Sequence, residues 1–120
     1  MTWPIRSVLK FLNGKKEIGI KQIDNGNIEN ILEKENLVLL NFSAEWCGPC
    51  LLMNKILKEF DSGQSDIYVV KINADTNTDI LIKYGIRGIS QFILINKGEE
   101  VKRHAGPMSL HELQRFCSNN

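Results

Sequence analysis

Cys47 and Cys50, separated by Gly48 and Pro49, are the residues of this sequence best suited to chemistry. Two thiols at this spacing can close a disulfide with each other or supply half of a metal site. The flanking elements decide how they are held. Upstream, Leu37-Val38-Leu39-Leu40-Asn41-Phe42 is an apolar run bounded by Ser43 and Ala44, with the length and content of a strand buried on both faces. Downstream, Leu52, Met53, Ile56, Leu57 and Phe60 recur at helical spacing. The cysteines therefore sit where a strand turns into a helix. There, free backbone N–H groups and the positive end of the helix dipole favour a thiolate over a thiol. Pro49 suits the first helical turn, where a missing N–H costs nothing, and Gly48 leaves the approach open. Cys47, nearer the exposed end, is the expected nucleophile. Cys50, one turn inward, is placed to close a disulfide on whatever Cys47 has attacked. A closed zinc site would need a second ligand pair, and only His104, His111 and Cys117 remain.

The rest of the chain narrows the setting. At 120 residues it is one domain, long enough to bury roughly two-thirds of its unfolded surface. Hydrophobic residues make up 42 % and charged residues 24 %, an ordinary composition for a soluble protein. Fifteen basic against fourteen acidic side chains leave a net charge of +1, so there is no electrostatic case for nucleic acid or an anionic membrane. No apolar run approaches the length of a membrane span. The first ten residues mix charge with apolar side chains and lack the apolar block of a signal peptide, which predicts a cytoplasmic protein. Three cysteines in a reducing compartment point to catalysis or metal binding rather than a structural disulfide framework.

Ile5, Val8, Leu9 and Leu12 recur at helical spacing, stopped by Asn13-Gly14, so residues 1–15 read as a helical extension preceding a domain over 16–120. Its apolar face would pack on the domain edge or bind a partner. Ile18, Ile20 and Ile23 alternate as in a half-exposed edge strand; Asp24 to Asn27 is turn chemistry, and Ile28, Ile31 and Leu32 share a helical face. After the cysteine helix comes a loop over 61–65, then a β-rich run, Ile67 to Ile72. Residues 75–78 can cap a short helix with Ile80, Leu81 and Tyr84, ended by Gly85. Gln91 to Ile95 reads as a strand, Asn96 to Glu99 as a hairpin turn, and Val101 to His104 as its antiparallel return. Ser109 and Glu112 form a capping box before a helix with Leu110, Leu113, Phe116 and Cys117 on one face. The fold class is thus α/β, a mixed sheet parallel in its middle with helices on both faces.

From Leu37 to Phe116 the chain resembles the thioredoxin family. The resemblance is carried by Ala44-Glu45-Trp46-Cys47-Gly48-Pro49-Cys50, by Lys71-Ile72-Asn73-Ala74-Asp75, and by Lys83-Tyr84-Gly85-Ile86-Arg87-Gly88-Ile89. Lys97-Gly98-Glu99 at the hairpin and Gly106 before the last helix complete it. It implies the thioredoxin fold and disulfide reduction, in which Cys47 attacks a target disulfide and Cys50 resolves the mixed disulfide. It also implies that Trp46 is the family's surface tryptophan beside the sulfurs. Gly88, Ile89, Ser90 and Gly106 would line a groove where a substrate pairs through its backbone.

Three departures fall at the site. Asn41 stands where thioredoxins carry a buried aspartate taken to help deprotonate the resolving cysteine; an amide can hydrogen-bond but cannot take up a proton at neutral pH. Lys71, that acid's partner in the family, is left without a carboxylate and is expected to snorkel to solvent. Ser90 stands where the family has a cis-proline facing the cysteines. A cis bond before a non-proline residue costs ~2.5–4 kcal/mol, so the Ile89–Ser90 peptide is expected to be trans, or else strained for a reason. Leu51 replaces a frequent lysine and makes the rim more apolar.

The expectation is a protein-disulfide reductase with no cofactor, monomeric, supplied by a thioredoxin reductase or a small thiol. An alternative is a [2Fe-2S] cluster held by Cys47 and Cys50 of two chains, in space opened by Ser90. A third reading is a thiol binder whose mixed disulfides release slowly. Cys117 is expected to pack in the last helix, and His104 and His111 to lie at the surface.

Overall fold

The computed structural model describes residues 21–23 and 28–118. Among these, five strands and four helices follow one another: β1 (Lys21–Ile23), α1 (Ile28–Lys34), β2 (Leu37–Ser43), α2 (Gly48–Ser62), β3 (Tyr68–Asn73), α3 (Thr78–Tyr84), β4 (Gln91–Asn96), β5 (Glu99–Ala105) and α4 (Leu110–Ser118). The strands form one sheet in the order β1-β3-β2-β4-β5. β1 and β2 each run parallel to β3, while β4 is antiparallel to β2 and to β5. This is the expected mixed sheet. The predicted helix over 5–12, the turn at 24–27 and positions 18 and 20 of the edge strand lie outside the described residues.

β2 is central because every residue from Val38 to Ser43 is buried. Its alternate side chains feed two cores. Val38, Leu40 and Phe42 join Val70, Ile72, Ile93 and Ile95 beneath Ile28 of α1 and Ile80 of α3. Leu39 joins Val69, Phe92 and Leu94 beneath Met53 and Leu57 of α2 and Leu113 of α4. Burying each large apolar side chain contributes about 1.5–3 kcal/mol, so a strand loaded on both faces is the most firmly fixed element of the fold. Its C-terminal end is where the cysteines begin.

Two short connections set the frame. The β4–β5 turn places Lys97 and Gly98 at φ 52° and 84°, the paired positive values of a tight hairpin turn. Gly85 closes α3 at φ 65°, in the left-handed region a glycine enters without steric cost.

Candidate redox site

Cys47 caps α2 and Cys50 lies in its first turn, with Pro49 between them at the start of the helix. The two sulfurs are joined in a disulfide, their Cα atoms 5.2 Å apart. The backbone N–H of Cys50 donates to Cys47 Sγ at 3.2 Å, so the helix terminus already supplies a donor to the first sulfur. Burial differs in the expected sense: Cys47 retains 5 % of its surface and Cys50 only 1 %. Gly48 and Pro49 are exposed, and among the described residues a Cβ added at Gly48 would meet nothing within 4 Å.

Trp46 is 70 % exposed, as the resemblance implied. Its indole N–H donates to both carboxylate oxygens of Asp75, at 3.1 and 3.0 Å, across the gap between the strand–helix turn and the turn after β3. Asp75 thereby holds the exposed ring in place, a pairing of residues 29 apart that sequence periodicity does not reveal.

The residues expected to line a groove make the following contacts. Ile89 packs on Ala44, Cys47 and Cys50. Ser90 is buried, and its carbonyl accepts the N–H of Gly106 at 2.9 Å. Gly88 is exposed beside them. The loop after Gly106 is tied to the cysteine helix through the N–H of Met108, which donates to Met53 Sδ at 3.3 Å. The Ile89–Ser90 peptide is cis, correcting the expectation of a trans bond. That expectation weighed only the intrinsic preference of the bond. Ser90 is fixed on its carbonyl by Gly106 and on its hydroxyl by Asn41, contacts that lie far away in sequence.

Asn41 is wholly buried and donates through Nδ2 to Ser90 Oγ at 3.1 Å and to the Gln91 carbonyl at 3.4 Å. Its Oδ1 finds no donor among the described residues. Lys71 is the residue opposite Asn41 on β3. It is half-buried rather than extended fully into water, and it lines a small polar cavity of about 70 Å³ with Ser43, Glu45 and Asn54. Burial lowers its pKa; Lys58 adds to the effect and Glu45 opposes it.

Leu51 and Leu52 are exposed beside the cysteines and form the apolar rim. Cys117 is buried on the core-facing side of α4, as expected. His111 is exposed, but His104 is half-buried with its ring between those of Phe92 and Phe116, a correction to its surface placement. Among the described residues, no group of three or more His, Cys, Asp or Glu side chains is arranged to hold a metal ion, and no helix is long and apolar enough to cross a membrane.

Comparison with known proteins agrees with this geometry. The thioredoxin family model matches residues 19–119. The thioredoxin of Rickettsia bellii is 36 % identical over 93 residues, covering 77 % of this chain and 89 % of that one. The thioredoxin of Pseudomonas aeruginosa is 34 % identical over 93 residues, covering 77 % and 86 %. Among solved structures, a mutant thioredoxin from Halobacterium salinarum superposes with a TM-score of 0.78 at 26 % identity, covering 83 % of this chain and 88 % of its own. The oxidized mitochondrial thioredoxin 3 of Saccharomyces cerevisiae shares the fold at a TM-score of 0.77 and 22 % identity, covering 84 % and 95 %. These relatives support dithiol–disulfide exchange and lend nothing to a cluster shared by two chains. With the family's match running the length of the sheet and its helices, and a disulfide closed across the first turn of α2, the chain belongs to the thioredoxin family of thiol–disulfide oxidoreductases.

Proposed function

We propose that this oxidoreductase works in the reducing direction on protein disulfides, with Cys47 as nucleophile and Cys50 as resolving thiol. The observation that carries the assignment of roles is the Cys50 N–H donated to Cys47 Sγ at the helix terminus. A donor already aimed at that sulfur, with the positive end of the helix behind it, favours the thiolate at Cys47. The Cys47 thiolate attacks one sulfur of the target disulfide, and the other target sulfur leaves as a thiolate that takes up a proton. Cys50 then loses its proton and attacks Cys47 Sγ. The second target thiol is released, and the protein keeps the disulfide. The target gains two electrons and two protons; the protein gives up both electrons and the Cys50 proton, and water returns the second proton, the one Cys47 shed on becoming a thiolate.

Gly88, Ile89, Ser90 and Gly106 form the wall against which the substrate backbone lies, with Leu51 and Trp46 offering apolar contact on the rim. The dithiol is the complete redox group, so no resident cofactor takes part. Electrons reach it from a thioredoxin reductase or a small thiol, and the protein acts as a monomer in the cytoplasm, passing them to protein disulfides in cell redox homeostasis.

The test is reduction of insulin disulfides driven by dithiothreitol, comparing the parent with Cys47→Ser and Cys50→Ser. The expected result is turnover by the parent, none by Cys47→Ser, and a stable covalent adduct of Cys50→Ser with an insulin chain. Turnover that survives Cys47→Ser, or an adduct formed by Cys50 instead, would overturn the assignment.

A further inference from the structure

We propose that the side-chain carbonyl of Asn41 is the acceptor for the thiol proton of Cys50 in the reduced protein, so that the second cysteine is held in its thiol form. The proposal rests on the reading of Cys47 and Cys50 as a reversible dithiol.

The placement follows from the packing. Side chains alternate along β2, and Leu39 faces Met53 and Leu57 of α2. Asn41 therefore points to that same face, about 6.6 Å further towards the C-terminal end of the strand. α2 returns antiparallel to β2, because it joins two parallel strands. Its sheet-facing stripe is Cys50, Met53, Leu57 and Phe60. Moving from the Met53–Leu57 pair back to Cys50 covers about 7.5 Å of helix. Asn41 thus comes level with Cys50, beneath the first turn.

The hydrogen bonding then leaves one acceptor open. Both Nδ2 hydrogens of Asn41 are committed, to Ser90 Oγ and to the Gln91 carbonyl. The second partner only accepts, so the amide cannot be turned over without setting oxygen against oxygen. Among the described residues Asn41 Oδ1 is left without a donor in a fully buried position, an arrangement native proteins rarely leave unmet. In the disulfide form Cys50 Sγ carries no proton. Reduction adds two electrons to the pair and a proton to Cys50, which creates a donor at that level of the helix. Cys47 has its own donor in the Cys50 N–H.

A hydrogen bond given by the thiol favours the thiol over the thiolate. The charged groups around the site act separately. Lys71, on β3 beside Asn41, favours the thiolate; Glu45 on the strand–helix turn and Asp75 on the turn after β3 oppose ionisation. Lys58 repels the charge on Lys71, and the first turn of α2 carries no acidic residue. Ser90 before β4, Phe92 of β4 and Leu113 of α4 bring no charge. With the proton retained on Cys50, the mixed disulfide at Cys47 persists until that proton leaves, and the protein keeps hold of its target for longer.

The test is infrared spectroscopy of dithiothreitol-reduced protein. In a Cys47→Ala/Cys117→Ala background the only S–H stretch belongs to Cys50. The expected band lies below that of a thiol with no acceptor and moves up in the same background carrying Asn41→Leu. A second measurement needs no change at Asn41: protein labelled with ¹³C in the asparagine side-chain carbonyl is compared in oxidised and reduced forms. One labelled carbonyl band should shift down on reduction. A Cys50 band at the free-thiol position, a band indifferent to Asn41→Leu, or a redox difference spectrum without a labelled carbonyl would overturn the proposal. Each readout uses chemically reduced protein, so a failure of insulin turnover leaves these outcomes interpretable on their own.

Discussion

The amide of Asn41 donates to the hydroxyl of Ser90 across 3.1 Å, joining two residues 49 positions apart that both depart from the pattern the rest of the site follows. Asn41 lies on β2 opposite Phe92 of the antiparallel β4, and Ser90 is the residue immediately before that strand. The departures are therefore one arrangement. An aspartate at 41 with a serine at 90, or an asparagine with a proline, would each present a different set of donors and acceptors beneath the cysteine helix.

Coupling between these residues should appear in stability. Ser90→Ala leaves one buried Asn41 hydrogen without an acceptor and is expected to cost about 1–3 kcal/mol; Asn41→Leu leaves the Ser90 hydroxyl alone and is expected to cost a similar amount. The double variant, which removes both ends of the bond, should lose less than the sum. Urea unfolding of the four oxidised proteins checks this, and strictly additive losses would show that the bond contributes nothing.

The strands and the cysteine helix were legible because their apolar residues repeat at periods that only one element type explains. Val38 to Phe42 fill both faces of β2, and Met53, Leu57 and Phe60 return at helical spacing. The capping box at Ser109 and Glu112 was visible as a local spacing and is present, each residue's backbone N–H donating to the other's side chain. What escaped was long-range. Nothing in the sequence aligns Asn41 with Ser90, because their meeting depends on the register of β2 against β4. The Trp46–Asp75 pairing depends likewise on how the turn after β3 folds back. Asn77 shows the reverse case: it precedes α3 as a cap should, yet its amide turns back to the Asn73 carbonyl, and no side-chain cap forms.

Lys71 responds to what stands at position 41. Its pKa is lowered, mainly by burial, so near neutrality the folded chain pays to keep it charged. The folded state loses this proton more readily than the unfolded state, and stability should therefore rise as pH climbs through the depressed pKa towards the ordinary lysine value of 10.5. Asn41→Asp places a carboxylate beside the ammonium on the facing strand and should raise the lysine pKa, removing that alkaline gain. It also supplies a base under Cys50, and the resolving step should accelerate on the order of 10²-fold, the low end of general-base effects. Urea titrations across pH, together with stopped-flow release of the second thiol from a mixed disulfide, check both halves.

Ser109→Ala should destabilise the protein by about 1 kcal/mol through loss of the N-cap of α4. The Glu112 carboxyl is held below its ordinary range, chiefly by the backbone N–H of Ser109 and then by its side chain. Its contribution is present above the ordinary carboxylate pKa and fades as pH falls through the lowered one. Thermal melts at neutral and acidic pH should show the Ser109→Ala deficit shrinking in acid.

Cys117 is the thiol the chemistry does not use. Burial on the inner side of α4 pushes its pKa up to about 12, against an ordinary 9.0, with Lys102 opposing. In the reduced native protein at mildly alkaline pH, iodoacetamide should modify Cys47 first and leave Cys117 intact, and denaturant should expose all three to alkylation. The same shift sets a pH window. Above pH 9 the unfolded thiol ionises while the folded one keeps its proton, so stability is full below that point and declines as pH rises towards about 12. Cys117→Ala should flatten the decline while leaving insulin turnover unchanged. Mass spectrometry of the alkylated protein reads the first expectation and urea unfolding from neutral to alkaline pH the second; a Cys117 alkylated as fast as Cys47 would mean that α4 opens in the native state.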